Sequence, residues 1–120
     1  NTKNVCPTGW HVPSADEWIK LTTYLGGTNV AGGKLKEMGL THWNPPNTGA
    51  NNETGFTALP GGQRNSYGDF LYMNEGIYLW GSTEYTFDFA WSRSLHYYAS
   101  VINKNNTNKK TGNYIRCIKD

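Results

Sequence analysis

The chain has 120 residues, of which 37% are hydrophobic and 17% charged, and its formal net charge is +2 at pH 7. This length and composition predict one folded domain over residues 1–120 with a single core, and they exclude an intrinsically disordered chain. No run of about 18 apolar residues is present, which excludes a membrane span within the chain. Because the sequence begins without an initiator Met or a signal peptide, we expect it to be part of a longer protein.

Two cysteines, Cys6 and Cys117, stand near opposite ends of the chain. No metal is expected, because structural zinc needs four ligands at short spacings and the three histidines follow no such pattern. The absence of a CxxC motif argues against a redox pair. Two alternatives stay open: buried free thiols, or a disulfide formed when the strand "YIRCIKD" pairs with the segment around Val5 and Cys6. The disulfide would indicate an extracytoplasmic protein, because such bonds persist in oxidising compartments.

The clearest predicted element is a helix within "HVPSADEWIKLTTYLGG". Ser14 and Glu17 form an S-x-x-E capping box, in which each side chain accepts a hydrogen bond from the backbone amide of the other residue, so the helix is predicted to begin there. Gly26 and Gly27 supply the permissive backbone that ends it. One face of this helix is apolar and is formed by Trp18, Leu21 and Leu25.

A second, weaker helix is predicted at residues 30–38, where two internal glycines lower the helix propensity. It leads into the long loop "THWNPPNTGANNETG", in which two adjacent prolines prevent regular structure. Long loops often carry function, so Trp43 is a candidate ligand contact. The alternative, that Trp43 folds back onto the core, stays equally open.

Short strands are predicted after Phe56, in "FTALPGGQR", "GIYLWGSTE" and "FAWSRSLHYYASVI". A final hairpin is predicted between residues 101–102 and 114–118, around the Asn-rich turn "NKNNTNKKTGN". Arg93 is expected to hydrogen-bond in the interior. Alternation along the third run separates two faces, one with Trp91, Arg93 and Leu95 and the other with Ser92, Ser94 and His96. Packing roles are assigned to Trp18, Trp80, Trp91 and Tyr114.

Five blocks of sequence, in order over almost the whole chain, carry a family resemblance. They are "CPTGWHVPSADEW", "GGKLKEMG" with a following "HW", "GFTALPGGQR", "G-x-Y-x-W-G-S-T-E" and "IRCIKD". Together they resemble the Fibrobacter succinogenes major paralogous domain family. The resemblance implies a secreted or surface-exposed bacterial protein, often a lipoprotein of Bacteroidetes-type organisms.

The same resemblance implies an α+β, C-type lectin-like fold that is similar to the formylglycine-generating enzymes. In this fold one or two helices pack on short twisted antiparallel strands with long loops. The chain termini pair at the base of the fold, which would explain why the only two cysteines lie at the two ends.

The resemblance carries over no catalytic or calcium site. Calcium-dependent lectins use E-P-N or Q-P-D followed by W-N-D, whereas "WNPPN" at residues 43–47 lacks the carboxylate and no W-N-D occurs. Formylglycine-generating oxidases hold copper with cysteines in an active groove, but both cysteines of this chain match the terminal positions. No nucleophile elbow, P-loop, GxGxxG or HExxH motif is present. We therefore expect no cofactor, no metal and no enzymatic activity.

The predicted function is noncatalytic recognition of a carbohydrate or a surface protein, outside the cell or at the bacterial cell surface, with a lipid anchor on an N-terminal segment. Aromatic rings stack on sugars, and asparagine amides both donate to and accept from hydroxyls. Nucleic acid is not an expected partner, because the lysines of residues 104–119 lack interleaved stacking residues apart from Tyr114. An alternative is a structural or assembly domain of a surface lipoprotein or pilus-like complex. The candidate ligand-binding residues are Trp43, Asn44, Asn47, Asn51, Phe87, Phe89, His96 and Tyr98.

Overall fold

The structure, a computed structural model, describes residues 5–120 and is an α+β fold with two helices and seven short strands in that range. The strands form three antiparallel sheets, namely β1–β7, β2–β3 and a central sheet with the order β4–β5–β6. The α+β class predicted from the sequence is confirmed. In chain order the elements are β1 (Trp10–His11), α1 (Ala15–Tyr24), α2 (Thr28–Leu35), β2 (Gln63–Arg64), β3 (Phe70–Leu71), β4 (Gly76–Glu84), β5 (Phe89–His96), β6 (Asn103–Asn108) and β7 (Ile118–Lys119).

Helix α1 begins at the predicted capping box. The Ser14 hydroxyl accepts from the Glu17 amide at 3.2 Å, and the Glu17 carboxylate accepts from the Ser14 amide at 3.0 Å. The chain leaves the helix through Gly26–Gly27, whose φ angles of 101° and 106° are reached without strain only by glycine. Trp18 and Leu25 are buried on the predicted apolar face. Local sequence signals therefore fix both ends of this helix and the face that it buries.

Helix α2 begins and ends slightly earlier than predicted, and close packing explains its two internal glycines. A Cβ atom on Gly32 would lie 2.4 Å from the Val101 carbonyl oxygen, and one on Gly33 would lie 2.3 Å from the Gly49 carbonyl oxygen. Any larger residue would collide with these backbones. The glycines that weaken the helix intrinsically thus allow two loops to pack directly on it.

The central sheet contributes its inner face to the core. Ile77 pairs with Leu95, and Leu79 pairs with Arg93. Arg93 is 3% exposed and donates to two backbone carbonyls at 3.1 and 3.5 Å, so the predicted interior hydrogen-bonding role is confirmed. The core consists of Trp18, Leu25, Ala31, Leu35, Trp43, Ala58, Ile77, Leu79, Leu95 and Ile102.

The Asn-rich run near the C-terminus is a strand, so the predicted hairpin around it is wrong. Strand β6 pairs with β5 along its whole length. Its side chains add cross-strand hydrogen bonds, from Asn105 Nδ2 to Ser94 Oγ at 3.0 Å and between the Thr107 and Ser92 hydroxyls at 2.8 Å. These pairings outweigh the low strand propensity of asparagine. The following segment bridges β4 in parallel through Tyr114, which is 48% exposed and is not the packed residue that we predicted.

A disulfide joins Cys6 and Cys117, with Cα atoms 5.9 Å apart, which decides between the two alternatives for these cysteines. Strands β1 and β7 pair beside it, with His11 opposite Ile118. The C-terminal strand therefore pairs with residues that follow the first cysteine, whereas the segment around Val5 was predicted as its partner.

A histidine reinforces these paired ends. His11 Nδ1 lies 2.5 Å from the Asp120 carboxylate, and His11 Nε2 lies 2.9 Å from the Glu17 carboxylate. Hydrogen bonds to Glu17 and then to Asp120 raise the pKa of His11. We call the disulfide, the β1–β7 pair and the His11 contacts the terminal clasp.

Candidate functional site

Four aromatic side chains form a continuous row at one end of the central sheet. Neighbouring ring centroids in this row lie 5.3 to 5.6 Å apart. The two end members are exposed, Tyr72 by 45% and Tyr98 by 59%, and the two inner members are half-buried. The row therefore presents a ring surface to solvent at each end. Its members, in order of contact, are Tyr72, Tyr78, His96 and Tyr98, and we call this set the aromatic row.

The sheet register explains the centre of the row. Tyr78 in β4 and His96 in β5 project to the same face, because Gly76 pairs with His96 and Tyr78 pairs with Ser94. A Cβ atom on Gly76 would lie 3.2 Å from His96 Nδ1, so the missing side chain leaves room for the imidazole. The His96 ring meets the Tyr78 ring edge-on at 81°.

Backbone hydrogen bonds bring three loop segments together around the row. The Tyr97 amide donates to the Glu75 carbonyl at 2.9 Å, which joins the turn after β5 to the turn before β4. The Asn44 amide donates to the Asn74 carbonyl at 2.9 Å, and the Thr48 amide donates to the Tyr97 carbonyl at 3.0 Å. The long loop is thereby held against both turns.

A buried lysine fastens two of these segments from the interior. Lys36, at the end of α2, is 0% exposed, and its Nζ donates at 2.9 Å to each of the carbonyl oxygens of Thr48, His96 and Ala99. The ammonium thus uses all three of its donors. Burial lowers the pKa of Lys36 to about 8. We call Lys36 and its three carbonyl acceptors the Lys36 cluster.

Tyr78 keeps its proton at neutral pH. Burial, with smaller contributions from Tyr72, Tyr98 and Glu75, raises the pKa of the Tyr78 phenol to about 12. A protonated phenol both donates and accepts hydrogen bonds. The inner part of the row therefore carries a hydroxyl that can pair with either partner type.

His96 is also uncharged, and a polar chain anchors it. Its Nε2 lies 3.1 Å from the hydroxyl of Ser94, which in turn accepts from Asn105 Nδ2 at 3.0 Å. Burial and the charge of Lys36 lower the pKa of His96 below its ordinary value, so the imidazole is neutral at pH 7. The ring is thus fixed as a neutral stacking partner for Tyr98.

Three of the eight predicted ligand-binding residues lie at this site. His96 and Tyr98 are members of the aromatic row, with stacked rings at an interplanar angle of 20°. Asn44 is exposed on the long loop, and its backbone amide bonds to Asn74, two residues from Tyr72. The fold thus brings together residues that are about 50 positions apart in the sequence.

Two others, Trp43 and Asn47, are structural. Trp43 is 1% exposed, and its indole N–H donates to the Ala58 carbonyl at 3.1 Å. Asn47 is 6% exposed, and its amide nitrogen donates to the Glu37 and Gly39 carbonyls. Side chains that are buried on the protein's own backbone offer no surface to a ligand. The core alternative for Trp43 is therefore correct, and both residues leave the candidate binding surface.

The remaining three lie elsewhere. Phe87 is 87% exposed in the turn between β4 and β5, and Phe89 begins β5. Strand β5 runs from Phe89 to His96. At 3.3 Å per residue, Phe89 therefore lies about 23 Å from His96 and the aromatic row. Asn51 is exposed on the long loop, where its side-chain oxygen accepts from the Glu53 amide at 2.9 Å.

Sequence reasoning missed Tyr72, Tyr78 and Lys36. Alternation within β4 gave a signal for Tyr78, because it stands between the buried residues Ile77 and Leu79. Tyr72 lies in a turn, and its place in the row depends on the tertiary fold. No local signal marks Lys36. Lysine is almost never fully buried, so a lysine in the sequence is normally predicted to lie at the surface.

The groups at the aromatic row are phenols and an imidazole, which stack and hydrogen-bond. Across residues 5–120, no three His, Cys, Asp or Glu side chains come together in a group that could hold a metal ion. Neither helix in that range is long and apolar enough to cross a lipid bilayer.

The sequence matches the family model of the Fibrobacter succinogenes major domain over residues 1–119. The chain therefore belongs to this family, as its five sequence blocks predicted. The match includes both cysteines, both helices and every member of the aromatic row. No curated protein and no solved structure shows significant similarity to the chain.

Proposed function

We propose that this domain is a noncatalytic recognition module of the bacterial cell surface and that it binds a glycan at the aromatic row. The observation that carries the proposal is the row itself, in which four rings are in contact and the end members Tyr72 and Tyr98 are 45% and 59% exposed.

The chemistry of the row suits sugars. Pyranose rings have apolar C–H faces that pack on aromatic rings, and Tyr72 and Tyr98 supply such rings. Sugar hydroxyls need partners that both donate and accept, which the Tyr78 phenol and the Asn44 side-chain amide provide. A ligand that spans the row would contact stacking and hydrogen-bonding groups together.

Preorganisation supports the same assignment. The loops around the row are held by backbone hydrogen bonds and by the Lys36 cluster before any ligand arrives. A preformed site avoids the entropic cost of ordering loops on binding. This matters for carbohydrates, because each contact with a hydroxyl replaces one with water and adds little net free energy.

The proposal includes a C-type lectin-like fold and an extracellular or lipid-anchored location within a longer surface protein. The paired ends, the small antiparallel sheets and the two helices favour that fold. The disulfide favours an oxidising compartment. Protease treatment of intact cells that express the full-length protein tests the location, since the domain should be cleaved without lysis. Protection from the protease until lysis would contradict it.

A glycan array with two matched variants tests the binding site. Tyr98→Ala should weaken binding to the bound glycans about tenfold, which is 1.4 kcal/mol, because it removes an exposed stacking face. Phe87→Ala removes an aromatic ring that is even more exposed, at the far end of the sheet, and should leave binding unchanged. Equal losses in both variants, or full binding by Tyr98→Ala, would refute the assignment to the row.

A second candidate function is that of an assembly domain. It is favoured by exposed aromatic residues in the β2–β3 hairpin and in the turn between β4 and β5. Tyr67, Phe70 and Phe87 are 83 to 90% exposed, and aromatic residues are enriched at protein–protein interfaces. In full-length protein on cells, an assembly role predicts that Phe70→Ala and Phe87→Ala reduce chemical cross-linking to neighbouring subunits while glycan binding persists. Unchanged cross-linking would remove this candidate.

A further inference from the structure

A groove of about 410 Å³ lies on the side of β4 that faces away from the aromatic row. The core residues Ala58, Ile77 and Leu79 line its floor, and the exposed residues Met73 and Ile115 contribute to its rim. Sites for small ligands have volumes of roughly 300 to 1,000 Å³ and are lined mainly by apolar side chains with a few polar groups. The groove has both properties.

One permanent charge stands at the rim of this groove. Arg116 Nη1 donates to the Phe56 carbonyl at 2.8 Å, and the guanidinium carbon lies 4.1 Å from the centroid of the Phe56 ring. These contacts hold the guanidinium in place. Arginine has five N–H donors, so others stay available for a ligand. The ion pairs within residues 5–120 do not include Arg116.

The other polar groups of the groove are satisfied or neutral. None of the described residues that line it is an Asp or a Glu. His42 is bound to the Glu37 carboxylate through Nδ1 at 2.9 and 3.0 Å, and the Tyr114 hydroxyl donates to the Gly61 carbonyl at 3.3 Å. The groove therefore combines an apolar floor with one unpaired positive group at its edge.

We propose that this groove binds an aliphatic carboxylate of the fatty-acid class. The alkyl chain would lie on Ala58, Ile77 and Leu79, and the carboxylate would pair with Arg116. A planar guanidinium matches the geometry of a carboxylate and forms two parallel hydrogen bonds with it. A ligand with a similar alkyl chain and a positively charged head group would be repelled by Arg116. This site is separate from the proposed glycan site, because Tyr78 projects from one face of β4 and the floor residues Ile77 and Leu79 project from the other.

Calorimetric titration with sodium decanoate, below its critical micelle concentration, tests the proposal. Decyltrimethylammonium has a positive head group and an alkyl chain one carbon longer than that of decanoate, so weaker binding of this cation reports the charge and not a shorter chain. We expect decanoate to bind at least about tenfold more tightly. Equal affinities of the two amphiphiles, or no binding of decanoate, would overturn the proposal.

Two variants locate the ligand. Arg116→Gln should weaken decanoate binding about tenfold, and the matched control Arg64→Gln should leave it unchanged, because Arg64 also lies over an aromatic ring, 5.9 Å from Phe70, but outside the groove. Met73→Glu places a carboxylate at a rim position that is 65% exposed, where the charge stays in contact with solvent, and should weaken binding similarly. Unchanged decanoate affinity in both groove variants, or loss of decanoate binding in Tyr98→Ala, would rule out this site.

Discussion

The terminal clasp and the Lys36 cluster fasten distant parts of the chain by different means. The clasp uses a covalent bond, Cys6–Cys117, and partly exposed charged contacts of His11. The Lys36 cluster uses one buried ammonium and three backbone carbonyls. In the chain-entropy model a cross-link stabilises mainly by restricting the unfolded chain. Lys36 instead orders loops of the folded state, so only the second fastening bears directly on the proposed glycan site.

The largest expected effect comes from breaking the clasp. The double variant Cys6→Ser/Cys117→Ser opens a cross-link over a sequence separation of 111 residues and should lower the free energy of unfolding by up to about 4.7 kcal/mol. Urea denaturation of the variant and the oxidised wild type measures this difference. Glycan affinity, measured where both proteins are folded, should be unchanged. A large loss of affinity in the folded variant would contradict the division of roles between the two fastenings.

Removing Lys36 should have the next largest effect and should reach the ligand site. Lys36→Met leaves the three carbonyls that accept from the buried ammonium without their donor, which costs about 3 kcal/mol after partial relief of the buried charge. Glycan binding should weaken as well, because the loops around His96 lose the hydrogen bonds from Lys36 that hold them together. Urea denaturation and glycan-array binding measure the two effects.

A surface lysine gives the matched control for Lys36. Lys109→Met removes an exposed ion pair with Glu84 and a contact with the exposed Phe87 ring, and it should cost less than about 1 kcal/mol with no change in glycan binding. If the two lysine variants behaved alike, the special role of the buried ammonium would be disproved.

Alkaline pH sharpens the comparison further. The unfolded chain holds the Lys36 proton up to about pH 10.5, whereas the folded protein releases it near pH 8. Between these values the unfolded state binds more protons, so the free energy of unfolding rises with pH by up to about 1.4 kcal/mol per unit and this gain is lost as pH falls through 8. Wild type should therefore gain stability relative to Lys36→Met between pH 8 and 10. Parallel profiles of the two proteins would contradict this.

Titration of His11, within the clasp, should have the smallest effect on the free energy of unfolding, and its pH dependence has the opposite sign to that of Lys36. Because Glu17 and Asp120 raise the pKa of His11, the folded state binds this proton more tightly than the unfolded state. The contribution is complete below pH 6.5 and disappears as pH rises through the raised pKa. His11→Gln should remove this pH dependence from the free energy of unfolding, whereas His42→Gln, at the other imidazole–carboxylate pair, should retain it. If His11→Gln kept the pH dependence of the wild-type free energy of unfolding, His11 could not be its source.

The features of the fold that were predicted correctly depend on residues close together in the sequence. Ser14 and Glu17 define the start of α1 because capping depends on residues three positions apart. The faces of β5 followed from alternation, which placed Arg93 and Leu95 together correctly. The five family blocks identified the family, and the terminal positions of the cysteines left the disulfide as one of two open alternatives.

Tertiary contacts decided the rest. Asn105 and its neighbours form a strand because β5 supplies hydrogen-bonding partners, although their composition favours a turn. Trp43 stands in a polar loop with two prolines, and only the folded chain shows that its ring lies in the core. The aromatic row likewise depends on the approach of two turns that no local pattern reveals.

The 5.9 Å between the Cα atoms of Cys6 and Cys117 brings the first and last parts of the described chain to the same edge of the domain. A gap of this size is spanned by two residues of extended chain. The folded unit can therefore be spliced into a surface loop of a host protein without pulling the loop apart, as for other domains whose ends lie close together.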